Sequence, residues 1–160
     1  MERIFKLKNY IKLDKGEIDK DFFEAYLRNS DNMSSEEYEP EKWWSIIINL
    51  NPEEVTSLIL ELQLLVYARC NTLSLTSHQE LSDIKLELNL NKNDDEKYSC
   101  VYAKDSINRV FLSLNELEYL LCFLLEYYRD GSTVVDHIDI NLVDYLHIMG
   151  SDGTLTIKIK

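Results

Sequence analysis

The residues best suited to chemistry sit together near the C-terminus: Asp136-His137-Ile138-Asp139, followed by Asp144 and His147. Carboxylates and imidazoles are the side chains that hold divalent metals and move protons near neutral pH. If Val134 to Val143 is a strand, alternation puts Asp136, Ile138, Ile140 and Leu142 on one face and His137, Asp139 and Asn141 on the other. A following strand, Tyr145 to Met149, with Leu146 and Ile148 inward, turns His147 toward the face of His137 and Asp139. Two histidines and a carboxylate there could hold a divalent cation, as in a small metal-dependent enzyme. The spacing matches no recurrent ligand pattern, and a simple contact of His137 with Asp136 or Asp139 on a solvated face accounts for the same residues. No glycine-rich phosphate loop, G-x-S-x-G elbow or H-E-x-x-H helix occurs. Cys70, Cys100 and Cys122 are too far apart for a zinc motif and odd in number for a disulfide framework. The expectation is a protein that is not an enzyme, with no catalytic residue, metal site or cofactor.

Binding chemistry is better represented. The chain has 29 acidic and 17 basic residues, a net charge of −12. Such a surface repels nucleic-acid phosphates and anionic membranes and steers basic proteins toward it. Acidity of this kind also serves solubility alone. The acidic run Glu36, Glu37, Glu39 and Glu41 leads directly into Trp43-Trp44. On a strand one of these indoles faces the core and the other faces out. An outward indole with an acidic rim has the composition of a hot spot for a basic partner, unless the preceding loop covers it. Asp94, Asp95 and Glu96 form a second acidic patch. His137 and Asp139 form a third candidate surface, competing with the first two.

The elements that must position these groups follow from periodicity. At 160 residues with 45% hydrophobic content, a single domain spanning residues 1–160 can bury its own core. Met1 to Leu13 alternates apolar and charged residues, which suits one opening strand closed by Asp14-Lys15-Gly16 and not a signal peptide. Glu17 to Asn29 reads as a short helix, and Asn29 to Glu41 as a polar surface loop. Trp43 to Leu50 is a strand, and Asn51-Pro52-Glu53-Glu54 opens a helix running to about Cys70. Asp83 to Asn91, Tyr98 to Ala103 and Ile107 to Leu112 suggest a three-stranded antiparallel meander with a charged hairpin tip. Ser113 and Glu116 form a capping box for a second long helix, with Leu117, Leu120, Leu121, Leu124 and Leu125 on one face and Gly131 as its left-handed stop. With Asn51 aligned on Ser113, Val55, Leu58, Ile59 and Leu62 fall on Leu117, Leu120, Leu121 and Leu124, either an internal duplication or the generic way to begin a core helix. Thr154 to Lys160 is a last strand whose Lys158 and Lys160 would blunt a sheet edge. The expected fold is α+β: a mostly antiparallel sheet of about seven to eight strands with two long helices and one shorter helix packed on it. No apolar run reaches the roughly 18 residues a bilayer span needs, so a cytoplasmic protein is expected.

The stretch LSLNELEYLLCFLLEYYRDG followed by VDHIDINL resembles the C-terminal parts of immunity proteins from bacterial polymorphic-toxin and contact-dependent growth-inhibition systems. The likeness covers about thirty residues. It implies a protein that binds a basic toxin, often a nuclease, and occludes its active-site groove one to one. On that reading Glu36, Glu37, Glu39, Glu41, Trp43 and Trp44, with Asp94, Asp95 and Glu96 and with His137 and Asp139, are the partner-binding residues. The alternatives are the metal-dependent enzyme above and an adaptor subunit that binds through a sheet edge.

Overall fold

The computed structural model describes residues 2–17, 42–77, 85–92, 99–104, 107–144 and 152–160. Among the described residues nine strands are present: β1 (Glu2–Leu7), β2 (Lys12–Glu17), β3 (Lys42–Leu50), β4 (Thr72–Ser77), β5 (Lys85–Leu90), β6 (Ser99–Lys104), β7 (Ile107–Leu112), β8 (His137–Val143) and β9 (Gly153–Ile159). Among the described residues there are two α-helices, α1 (Val55–Val66, preceded by a 3₁₀ turn over Pro52–Glu54) and α2 (Leu114–Asp130). All nine strands belong to one sheet in the order β1-β4-β5-β7-β6-β8-β9-β3-β2. Parallel and antiparallel pairings alternate across it, beginning with parallel β1–β4 and ending with antiparallel β2–β3.

This corrects the expected architecture. The sheet is mixed, not mostly antiparallel, it has nine strands, and it dominates the two helices. Three causes can be named. Lys8 to Ile11 breaks the opening stretch into two strands, which become the two opposite edges of the sheet. The expected meander fails because β7 inserts between β5 and β6, pairing parallel with the former and antiparallel with the latter. The last strand is not an edge: β9 lies between β8 and β3, so Lys158 stands opposite His137 on a sheet face. The expected short helix at 17–29, the acidic loop carrying Glu36, Glu37, Glu39 and Glu41, the Asp94–Glu96 tip, and the strand with His147 lie outside the described residues, except that Glu17 closes β2.

The sheet must curl. Eight inter-strand steps of about 4.8 Å would set flat edges roughly 38 Å apart. The connector between β1 and β2 has four residues and reaches at most about 17 Å. Twist alone rotates the edge strands without bringing them closer, so the sheet must also coil, as in the wall of a barrel, for so short a connector to join its edges. The concave face carries the apolar alternation, with Leu73 and Leu75, Leu86 and Leu88, Ile138 and Ile140, and Ile46 and Ile48 all buried. Both helices fill that concavity, α1 over β1, β4 and β5 and α2 against α1 and β8. Val55, Leu58, Ile59, Leu62 and Leu65 of α1 join Leu117, Leu120, Leu121, Phe123 and Leu124 of α2 in a single core. Leu125, expected inside, is exposed on the far side of α2, as is Cys122.

Side chains tie the sheet to the helices. Arg3, on the concave face of β1, makes a two-pronged bond to Glu61 of α1, Nε to Oε2 at 2.5 Å and Nη2 to Oε1 at 2.8 Å. Glu54 is buried at 6% exposure. Its Oε1 accepts the Asn51 N–H at 2.9 Å and its Oε2 accepts the Lys8 N–H at 3.0 Å. Asn9 then donates from Nδ2 to Asn49 O at 3.0 Å and Asn51 Oδ1 at 2.9 Å. The start of α1 therefore grips the connector that joins the sheet edges. At α2 the expected box is relayed: Ser113 Oγ accepts the Glu116 N–H, but the Ser113 N–H goes to Ser99 Oγ at 2.9 Å, and Ser99 Oγ donates to Glu116 Oε1 at 3.1 Å. Gly131 stops α2 at φ 71°, its N–H on Tyr127 O at 2.7 Å. Helix α1 ends at Val66, earlier than expected, because Ala68 turns left-handed at φ 55° and Arg69 N–H returns to Leu64 O at 2.8 Å.

Two stability measurements follow. Glu54→Ala leaves two backbone N–H groups without acceptors and should cost about 2–4 kcal/mol in urea unfolding, with Glu54→Gln intermediate. Ala68→Gly should stabilise by about 0.5–1 kcal/mol, because glycine takes a positive φ without a Cβ clash.

Candidate functional site

The convex faces of β8, β9, β3 and β2 form the surface on which several of the sequence candidates meet. Register and alternation set the rows: His137 beside Lys158, Asp139 beside Thr156 and Ile47, and Asn141 beside Thr154 and Ser45. Trp43 follows Ser45 by one step on the same face, paired with Gly16 of β2. Trp43 and His137 thus share a face but stand about six residues apart along the strands, roughly 20 Å.

The two indoles divide as strand alternation requires. Trp43 is 45% exposed, whereas Trp44 is 3% exposed and belongs to the core. Trp44 is the inward indole of the pair and Trp43 the outward one. Each indole lies on a glycine of the adjoining strand. A Cβ added to Gly16 would stand 2.5–2.6 Å from Trp43 Cε2, Cζ2 and Nε1. A Cβ added to Gly153 would stand 2.1–2.6 Å from Trp44 Cε2, Cδ2 and Cε3. Near-equal distances to three ring atoms mean that a ring face covers the glycine, the cross-strand fit by which aromatics protect strand glycines. The sequence held this signal, two tryptophans and two glycines in strands, but only the pairing order joins them.

Between these rows runs a chain of hydroxyl and carboxylate bonds. Thr156 Oγ1 donates to Asp139 Oδ1 at 2.5 Å, Ser45 Oγ lies 2.9 Å from Thr156 Oγ1, and Thr154 Oγ1 donates to Ser45 Oγ at 2.8 Å. His137 contacts both acids expected of it, Nδ1 to Asp136 Oδ1 at 2.7 Å and Nε2 to Asp139 Oδ2 at 3.5 Å. The hydrogen bond from the ring holds the Asp136 carboxyl below the usual carboxylate range. That contribution to stability is present above the ordinary carboxylate pKa and is lost as pH falls through the lowered one. Both groups are in solvent, so it is small. None of these contacts places a nucleophile beside a free base, and among the described residues no three His, Cys, Asp or Glu side chains could hold a metal ion. His147, the third member of the alternative metal set, lies outside them. Cys70 is buried, and burial first, with the Glu61 carboxylate second, pushes its thiol up, away from thiolate chemistry.

A cleft of about 460 Å³ opens at the Trp43 end of this face, walled by Trp43, Ser45, Asn141, Asp152 and Thr154, with Trp44 below. Asp152 is fixed there by the Asp144 N–H, which donates to its Oδ1 at 2.9 Å. Charge is partitioned around this frame. The described segments hold 15 acidic and 14 basic residues, close to neutral, while the rest of the chain holds 14 and 3. Eight of those acids fall in residues 18–41, which join β2 to β3 and so leave and re-enter the sheet beside the Gly16–Trp43 pair. Asp94, Asp95 and Glu96 belong to the connection from β5 to β6.

No family model matches the chain, and no curated protein matches it. Among solved structures, the crystal structure of Drosophila Suppressor of Fused is similar at 7% identity and a TM-score of 0.41, over 96% of this chain and 40% of that one. The chain thus spans about 40% of that structure's length. Among the described residues no helix is long and apolar enough to cross a membrane.

The glycine fits are directly testable. Gly153→Ala meets a core indole that has nowhere to go and should cost about 2–3 kcal/mol, read as a lowered urea midpoint. Gly16→Ala meets an indole open to solvent, which can swing outward, so its cost should stay below about 1 kcal/mol while Trp43 fluorescence shifts to the red.

Proposed function

We propose that this chain is a binding protein of the immunity kind its sequence resembles, occluding a basic protein toxin one to one in the cytoplasm. The observation that carries this is Trp43, a large aromatic side chain 45% exposed on a rigid strand and backed by Gly16. Aromatic anchors of that sort supply most of the affinity in protein interfaces. The acid-rich connection 18–41 ends one residue before Lys42, so long-range attraction and the short-range anchor adjoin in sequence. Glu36, Glu37, Glu39 and Glu41 act in steering a basic partner, and Asp139 and His137 extend the contact along the same face. An interface of standard size, about 800 Å² per partner, covers the distance from Trp43 to His137. The Asp94–Glu96 cluster serves as a further attractive patch. Nucleic acid and membrane are poor partners for a chain of this charge.

The test is affinity capture of the tagged full chain from its native cell, followed by calorimetry with the captured protein. One basic partner at one-to-one stoichiometry is expected. Trp43→Ala should weaken binding about 10–100-fold through faster dissociation. Joint reversal of Glu36, Glu37 and Glu39 to Lys should slow association and flatten its salt dependence. Absence of any stoichiometric partner, or a partner indifferent to Trp43→Ala, overturns the reading.

A further inference from the structure

We infer that the cleft beside Trp43 is a seat for a guanidinium group, so that the partner enters it with an arginine side chain; this deepens the binding reading above and rests on it. The walls present acceptors. Asp152 brings a carboxylate, Asn141 a carboxamide oxygen, and Ser45 and Thr154 hydroxyl oxygens, while none of the described lining residues is cationic. Asp152 keeps capacity for a ligand, because the bond from the Asp144 N–H engages Oδ1 and the carboxylate has two acceptor oxygens. Trp43 adds an aromatic wall, with one ring face on Gly16 and 45% of the residue accessible. A largely apolar cleft, with Leu142 and Val143 in its lining, an indole wall and one carboxylate, suits a cation carried on an apolar stem, and its flat wall distinguishes between cations. Guanidinium is planar, stacks on aromatic faces, and carries five N–H donors in a fixed fork that matches a carboxylate and a neighbouring carbonyl oxygen. Ammonium is compact and strongly hydrated, and it gives up more on entering such a site. The volume, about 460 Å³, is within the range of ligand clefts and leaves room for the arginine stem and its backbone. The hydroxyls of Ser45 and Thr154 are bonded to one another, which holds the wall rigid before anything enters.

The experiment titrates N-acetyl-arginine amide, its lysine counterpart and the uncharged citrulline counterpart into the full chain. Binding is followed by calorimetry and by the indole N–H signals of Trp43 and Trp44 in NMR. Saturable arginine binding, on the order of millimolar as expected for so small a ligand, should shift the Trp43 signal more than that of Trp44. The lysine compound should bind several-fold more weakly and the citrulline compound not at all. Asp152→Asn keeps an oxygen for the Asp144 N–H but removes the charge, and should weaken arginine binding about fivefold or more. Gly16→Ala, which displaces the Trp43 ring, should do the same without unfolding the chain. Equal response to lysine and arginine, or arginine binding unchanged in both variants, overturns the proposal and marks general attraction to an acidic chain. The two readings fail separately. A captured toxin whose affinity ignores Asp152→Asn removes the arginine seat and leaves the binding protein. Selective arginine binding without any stoichiometric protein partner leaves the seat and removes the toxin inhibitor.

Discussion

The fold depends on four residues that are too few to span it. Lys8 to Ile11 connects the two edge strands of a nine-stranded sheet, and no flat or gently twisted sheet can satisfy that length. Curling is therefore forced by connectivity, and the concavity it makes is what the two helices fill. Glu54 is the side chain on which this closure rests. One carboxylate accepts a backbone N–H from the connector and another from the first residue of the α1 entry, 2.9–3.0 Å away. A helix cap and a sheet closure thus share one buried anion, and neither can shift without disturbing the other. Arg3 with Glu61 repeats the link about two helical turns further, where the β1 edge meets α1. Both ties act between elements remote in sequence, which local propensity cannot report.

That remoteness explains what the sequence disclosed and what it hid. The cap at Ser113, the stop at Gly131 and, Leu125 apart, the buried faces of both helices depend on neighbours within a turn or two, and they were legible from spacing. So was the division of the two tryptophans between core and solvent, since period two needs no partner strand. The strand order was not legible. Nothing in KNYI says that it is a corner joining opposite edges, and nothing in the charged run after β5 says that β7 will enter beside it. Alternation fixes which face a residue occupies, but not which strand lies next to it. The expected edge role of Lys158 failed for this reason, since a strand with lysines on its outer face suits an interior position when that face is solvated.

The candidate surface was legible by parts. His137, Asp139 and Trp43 all stood out by residue type. What joined them was Thr156 and Ser45, hydroxyls of no distinction in the sequence, which gain a role because β9 lies between β8 and β3. The same pairing makes the cleft. Gly153 allows Trp44 to lie flat in the core, Gly16 seats Trp43 on the outside, and Asp152 stands at the entry to β9, two residues before Thr154. Four strands therefore contribute to one small site, and its geometry is only as firm as the order of the sheet.

The partition of charge gives this arrangement a physical logic on the proposed reading. A frame with nearly equal acids and bases folds without the self-repulsion that a net −12 would otherwise impose on packed strands. Acids gathered in the connecting stretches of the sequence are set apart from the paired strands, and repulsion between exposed charges is screened beyond about 8 Å at physiological salt. They still act together on an approaching cation, because steering depends on the summed field and not on fixed side-chain positions. Fixed geometry is needed only at contact, and there the chain supplies it on strands: an indole backed by a glycine, a carboxylate fixed by a backbone N–H, and hydroxyls bonded to each other. Attraction and specificity are thereby assigned to different parts of one chain, so that each can vary without loss of the other.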